Sequence, residues 1–60
     1  MWTVIFVTNE FNTASKIKEK LENELLKVRV KKRASEGSEP ETFEILVPDA
    51  EVPLALAQVG

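Results

Sequence analysis

Hydrophobic residues follow two different periods along this chain, and the changes of period divide it into strands and helices. Positions 2–8 are dense in β-branched and aromatic residues, which fit a pleated surface, so we predict a first strand at Trp2–Thr8. Its two alternating sets are both apolar: Trp2, Val4 and Phe6 on one face, Ile5 and Val7 on the other. A strand that is apolar on both faces is usually covered on both.

The first helix is predicted from Phe11 onward, where apolar residues recur every three or four positions. Its apolar stripe consists of Phe11, Ala14, Ile17 and Leu21, with Leu25 beyond at the same spacing, and charged residues occupy the opposite side. Asn9 or Asn12 is placed to accept a hydrogen bond from the free N–H groups at the start of the helix. The helix is expected to end near Asn23 or Glu24, because the period then changes to two.

This period of two predicts a second strand with one dry face and one basic face. In it, Leu26, Val28 and Val30 alternate with Lys27, Arg29 and Lys31. The polar segment 34–41, in which Gly37 and Pro40 break regular structure, predicts a loop. A third strand is predicted at positions 42–47. Its two faces are Phe43, Ile45 and Val47 on one side and Thr42, Glu44 and Leu46 on the other.

A second, short helix is predicted after Pro48 and Asp49. Its apolar stripe is Val52, Ala55, Leu56 and Val59. Pro53 has no N–H and must therefore lie in the first turn, so the helix begins near Glu51 or Val52.

The order strand–helix–strand–strand–helix within 60 residues predicts one α+β domain spanning residues 1–60. A strand–helix–strand unit crosses over with a right hand, and a short loop joins the next two strands. The compact arrangement is a ferredoxin-like βαββα fold with both helices on one face of an antiparallel-containing sheet of order 1-3-2. The last strand of the ferredoxin-like plan is missing, which leaves the first strand at an open edge.

Three segments of the chain, MWTVIFV, ASKIKEKLENELL and FEILVPDAEVPLALA, resemble a family of very short bacterial proteins described as signal-transducing and of unknown function. The resemblance covers nearly the whole chain and implies a fold akin to the PII (GlnB-like) and ACT domains. Relatives tend to have a glycine where this chain has Leu25, and helix formers where it has Pro53. Some members are described as glutamate decarboxylases, but that enzyme needs a cofactor-binding lysine in a far larger fold.

The composition and charge of the chain reduce the number of functions and locations that fit it. The net charge of −2 argues against a phosphate backbone as the main ligand. No apolar stretch approaches the ~20 residues that span a membrane. The apolar N-terminal segment lacks the basic region and cleavage site of a signal peptide, and the chain has no cysteine, so we expect a cytoplasmic protein. A domain this small buries only about 60% of its unfolded surface, so a partner subunit would help to stabilise it.

Catalytic chemistry is not indicated by the residue inventory. The chain has no histidine, cysteine or tyrosine, and its serines have no base to activate them. Glu36, Glu39 and Glu41 lack the spacing of a calcium loop. Neither glycine precedes a helix, which excludes a phosphate-binding loop. We therefore expect neither an enzyme nor a metal or cofactor site.

Two surfaces are candidates for binding. The first is the open face and edge of the first strand, which no proline or lysine protects. Its candidate interface residues are Trp2, Val4, Ile5, Phe6, Val7, Leu46 and Leu54. Burial of this surface predicts a homodimer, by edge pairing or face stacking; the alternative is that the second helix and the termini cover it within the monomer. The second is a candidate partner loop of Glu36, Gly37, Ser38 and Glu39, to which an unknown protein partner would bind.

Two other functions fit parts of the pattern. An ACT-like small-molecule sensor would bind its ligand at a dimer interface. An RRM-like sheet would stack nucleic-acid bases on aromatic side chains flanked by basic ones. Trp2, Phe6 and Phe43 with Arg29, Lys31, Lys32 and Arg33 superficially offer such a sheet. The alternation argues against nucleic acid, because the open face of the third strand would present Glu44, which we expect to pair with Arg29 or Lys31.

Overall fold

The computed structural model of the protein describes residues 1–33, 37 and 40–59. The strands are β1 (Trp2–Thr8), β2 (Arg29–Arg33) and β3 (Thr42–Pro48), and the helices are α1 (Phe11–Asn23) and α2 (Val52–Val59). A 3₁₀ turn, Asp49–Glu51, leads directly into α2. The predicted α+β, ferredoxin-like βαββα arrangement is confirmed: β3 lies between β1 and β2 and is antiparallel to both.

The hydrophobic core lies between the sheet and the two helices. Its buried members come from β3 and the helices: Ala14, Leu21, Phe43, Ile45, Val47 and Ala55. The alternation predicted for the third strand is confirmed, since its three apolar core residues are buried whereas the residues between them are half-buried. Both helices therefore cover the same face of the sheet, and the other face is open.

The predicted alternation of β1 is wrong because the strand contains a β-bulge. Val4 lies opposite Leu46 of β3, but Phe6 lies opposite Ile45, so Ile5 is an extra residue in the ladder. The extra residue reverses the alternation beyond it. Phe6 points to the helices, not to the face of Trp2 and Val4, and both Ile5 and Phe6 pack against the core.

The start of α1 is fixed differently from the prediction. Neither asparagine caps the helix: Asn9 donates a hydrogen bond from its side chain to the carbonyl of Glu41 (3.2 Å), and the N-cap residue Glu10 makes no side-chain cap. The Thr8 hydroxyl instead accepts a hydrogen bond from the backbone N–H of Glu10 (3.1 Å). Ring contact between Phe11 and Phe43 then holds the first turn of the helix, with the centroids 5.7 Å apart in an edge-to-face arrangement.

The end of α1 is as predicted, but the apolar stripe does not extend to Leu25. Leu25 has φ +62°, which is left-handed backbone, and its side chain is 93% exposed. The N–H of Leu25 donates to the carbonyl of Glu22 (2.9 Å) and that of Leu26 to the carbonyl of Leu21 (3.2 Å). These two bonds form a Schellman motif, in which glycine normally occupies the left-handed position.

Strand β2 begins later than the sequence predicts, at Arg29 and not at Leu26. The register from Arg29 opposite Leu46 would place Lys27 opposite Pro48, which has no N–H to offer. The N–H of Lys27 donates instead to the carboxylate of Glu51 (2.8 Å). Leu26 and Val28 still pack against the core, because this segment keeps its alternation without strand pairing.

Helix α2 begins at Val52 and has Pro53 in its first turn, as predicted. Ala55 is buried, and Val52 and Val59 pack against the core. Leu56, which the sequence pattern places on the apolar stripe, is 47% exposed.

Candidate interaction surface

The open face of the sheet is the surface to which the sequence points, and its composition changes from one strand to the next. We call the set of residues whose side chains lie on this face the open-face set. On β1 it consists of Trp2, Val4 and Val7, on β3 of Thr42, Glu44, Leu46 and Pro48, and on β2 of Arg29, Lys31 and Arg33. The surface is thus apolar on β1 and basic on β2.

The apolar part has Trp2, Val4 and Val7 at 37%, 42% and 53% exposure. Val4 lies directly opposite the half-buried Leu46, and Trp2 lies opposite Pro48. These neighbours form one continuous apolar patch. Such a patch, next to an open sheet edge, is typical of a surface used for association.

Of the candidate interface residues, Ile5 and Phe6 lie on the helix side of the sheet and not on the open face, and for Phe6 the bulge is the reason. Their side chains pack against the core below the sheet. Leu54 is 61% exposed but lies on α2, in the helix layer, whereas Leu46 lies on the other side of the sheet. The structure therefore brings four of the seven candidates together: Trp2, Val4, Val7 and Leu46.

A contact between Arg29 and Trp2 crosses the open face. The guanidinium carbon of Arg29 is 4.7 Å from the centroid of the Trp2 ring. A cation over an aromatic face at this distance is attracted by the ring quadrupole. The contact joins the apolar part of the open face to its basic part. The sequence alone does not predict this contact, because Trp2 and Arg29 lie on strands that come close only when β3 is placed between them.

The basic part of the open face has one carboxylate beside it. Lys31 lies directly opposite Glu44, as the predicted cross-strand pairing requires, and Val7 is opposite Glu44 on the other side. No ion pair forms between Glu44 and either Arg29 or Lys31 in the structure. The ion pairs in the described ranges include Lys32 with Glu41 (3.4 Å) and Lys18 with Glu22 (3.6 Å), both solvent-exposed.

The outer edge of β1 is unpaired within the described residues, because β3 is the sole strand beside it there. The start of this strand is held firmly in place. The hydroxyl of Thr3 donates a hydrogen bond to the carboxylate of Asp49, and the N–H of Asp49 donates to the carbonyl of Met1 (3.0 Å). Trp2–Thr8 contains no charged residue and no proline, so nothing in the sequence of this edge opposes pairing with another strand.

The aromatic side chains are distributed on both sides of the sheet. Trp2 lies on the open face, but Phe43 is buried and Phe6 packs on the helix side. The middle strand therefore presents no aromatic side chain to the open face, where an RRM-like sheet would stack a base.

The second candidate, the partner loop, lies largely outside the described residues. Glu36, Ser38 and Glu39 fall there, and Gly37 is described with φ +60°. The prediction that this loop binds a partner stays a prediction.

Side chains that could bind metal do not gather in the described part of the chain: no group of three Asp or Glu residues is placed as ligands would be. Neither described helix is long and apolar enough to cross a membrane.

Comparisons of the chain with models of known families, with curated proteins and with solved structures found no match.

Proposed function

We propose that this protein is a non-catalytic regulatory or protein-interaction module that works as a homodimer, with β1 as its contact strand. The observation that carries the proposal is the position of the apolar patch: Trp2, Val4 and Val7 lie on the strand whose outer edge is unpaired within the described residues. A second copy would satisfy the free backbone groups of the edge and cover apolar side chains at the same time.

The small core supports the same proposal. The largest fully buried side chains are Leu21, Ile45 and Val47, all packed between β3 and the helices. Strand β1 contributes no fully buried residue to this core. A domain of this size is expected to have little stability to spare, and association would add burial at β1, the strand that carries the exposed apolar side chains Trp2, Val4 and Val7.

The regulatory part of the proposal rests on the resemblance of the sequence to short signal-transducing proteins of PII-like and ACT-like fold. The βαββα arrangement is compatible with that family, although the fold is shared by many functions and does not select one. The cytoplasm is proposed as the location on the basis of the cysteine-free composition.

Light scattering or sedimentation equilibrium across a range of micromolar concentrations tests the dimer. The expected mass is twice the 6.7 kDa of the chain, falling toward that of one chain on dilution. A mass of 6.7 kDa at every concentration would overturn the proposal. Affinity capture of proteins from the native cytoplasm on the purified dimer then identifies the regulatory partner.

A further inference from the structure

We infer that two copies pair β1 with β1 in one particular antiparallel register, with Val4 of each copy opposite Val7 of the other. This inference rests on the proposed homodimer and assigns its geometry. The result is a continuous six-stranded antiparallel sheet with a twofold axis between Ile5 and Phe6.

The bulge selects this register. Directly opposite residues in an antiparallel pair share a face of the sheet, and a slip of one residue exchanges the faces. Val4 and Val7 both lie on the open face, opposite Leu46 and Glu44 of β3. In a regular strand, two residues three positions apart would lie on opposite faces. Here the extra residue Ile5 places them on the same face.

The remaining pairs in this register also match. Thr3 would lie opposite Thr8 of the second copy, and both face the helix side, since their partners on β3 are Val47 and Phe43. Ile5 would lie opposite Phe6 of the second copy, and both pack against the core. All six residues from Thr3 to Thr8 are thus paired with a residue of the same face.

Neighbouring registers do not match in this way. An axis through Ile5 would place Val4 opposite Phe6 and Thr3 opposite Val7, which pairs an open-face residue with a helix-side residue each time. An axis through Thr3 or through Val7 matches the faces over three residues only. Face matching therefore favours the axis between Ile5 and Phe6.

Charge and backbone geometry agree with this register. No charged residue occurs in Trp2–Thr8, so no like charges meet across the axis. The bulges of both copies lie at the axis, so the twist that each adds falls at the same point of the new pair. Val4 and Val7 of the two copies then form a continuous apolar band across the open face, with a Trp2 near each end.

Disulfide cross-linking reads the register directly, because the chain has no cysteine of its own. The single variants Val4→Cys and Val7→Cys are prepared, one of them with an affinity tag, mixed and oxidised. Opposite residues have Cβ atoms ~4.5–5.5 Å apart, close to the separation of a disulfide. In the proposed register Val4 of one copy lies two ladder positions from Val4 of the other, because Val4 and Val7 are opposite Leu46 and Glu44 of β3. This diagonal separation of ~7–8 Å is longer than a disulfide bridges without backbone movement.

The expected result is a disulfide between the two variants that forms at least about ten-fold faster than in either variant alone, since paired thiols in a dimer have a roughly millimolar effective concentration. Leu54→Cys, a similarly exposed position in the helix layer, supplies the rate of random collision. Circular dichroism confirms that each variant is folded. Protection of β1 amide protons from exchange, measured on the unaltered chain, is expected to increase with protein concentration.

Each other outcome overturns the register and has a distinct meaning for the dimer. Fast cross-linking of Val4→Cys or Val7→Cys with itself would show edge pairing in a different register. A dimer by light scattering, with cross-linking no faster than that of Leu54→Cys and no concentration-dependent exchange protection, would show that the copies associate elsewhere. A monomer would remove the register together with the proposed homodimer.

Discussion

Arg29 and Trp2 meet across the middle strand of the sheet, with the guanidinium carbon 4.7 Å from the centroid of the indole ring. They belong to the outer strands β2 and β1, which share no backbone pairing. The contact therefore joins the two outer strands over the open face. It also shields part of Trp2, the residue at the end of the apolar patch.

Replacing Arg29 with alanine is expected to lower the free energy of unfolding by about 0.5–1 kcal/mol, the usual worth of an exposed cation–π contact. Urea denaturation at a fixed protein concentration measures the change, with fluorescence of Trp2, the single tryptophan, as the signal. Arg33→Ala is the matched control, since Arg33 lies on the same face of β2, opposite Thr42. Equal losses in both variants would show that the contact with Trp2 contributes nothing.

Leu25→Gly is expected to stabilise the protein. A non-glycine residue in left-handed backbone costs roughly 1–2 kcal/mol, and Leu25 has φ +62° with an exposed side chain that contributes no burial. Glycine also adds entropy to the unfolded chain, about 0.4–1 kcal/mol, so the net gain is expected to be about 0.5–1 kcal/mol.

The midpoint of thermal or urea unfolding measures the effect of Leu25→Gly. Leu25→Asn should give a smaller gain, since asparagine tolerates this conformation better than leucine, and Leu25→Val a loss, because a β-branched residue tolerates it least. A destabilised glycine variant would contradict the Schellman geometry at this position.

Much of the architecture could be predicted because two of the strands have a clear alternation. In the third strand, Phe43, Ile45 and Val47 alternate with polar or less buried residues, and one core face follows from that pattern. A short polar loop to the second strand then restricts the strand order. The fold class and the order 1-3-2 depend on these features and not on details of the first strand.

The bulge in β1 could not be predicted for the opposite reason. The residues predicted for its two faces are all apolar or threonine, so the sequence has no apolar–polar alternation that an extra residue would interrupt. Neither Val4 nor Ile5 is a residue that marks a bulge, as glycine would. The alternation of the sequence therefore groups Phe6 with Trp2 and Val4, whereas the structure places it on the helix side of the sheet.

Position 25 is a second place where the hydrophobic period alone does not predict the local structure. Leu25 continues the helical apolar stripe in sequence, whereas in the structure it follows the last turn of α1. The stripe gives no sign of this, since a leucine fits the helical pattern better than the left-handed position it occupies. The strong signal was instead the change of period after Asn23, which placed the end of the helix correctly.

Glu51→Ala is expected to destabilise the protein by about 0.5–1.5 kcal/mol. The carboxylate of Glu51 accepts the hydrogen bond of the Lys27 N–H (2.8 Å), which strand pairing does not use. Its loss would release the segment before β2 from the turn before α2. Glu51→Gln retains an acceptor oxygen and should lose less, and Glu19→Ala, on the exposed side of α1, serves as the control. Chemical denaturation measures the stability of the three variants. Equal stability of all three would refute the role of this bond.

Val7→Lys tests whether β1 is the contact strand, with Leu54→Lys as its matched control. Val7 and Leu54 are both exposed aliphatic residues, at 53% and 61% respectively, so a lysine at either position should leave the folded chain intact. At the edge of β1 a lysine would block pairing, as it does on natural edge strands. A twofold interface contains the substitution twice, so a loss of about 1.4 kcal/mol per copy weakens dimerisation on the order of 100-fold.

Sedimentation equilibrium at matched concentrations compares the two lysine variants with the unaltered chain. Val7→Lys should sediment as one chain of 6.7 kDa where the unaltered chain and Leu54→Lys sediment as dimers. If Leu54→Lys dissociates and Val7→Lys does not, the helix layer is the contact surface. That result would leave the apolar patch of Trp2, Val4 and Val7 to another occupant, because in the proposed register Val7→Lys places a charged side chain against Val4 of the second copy.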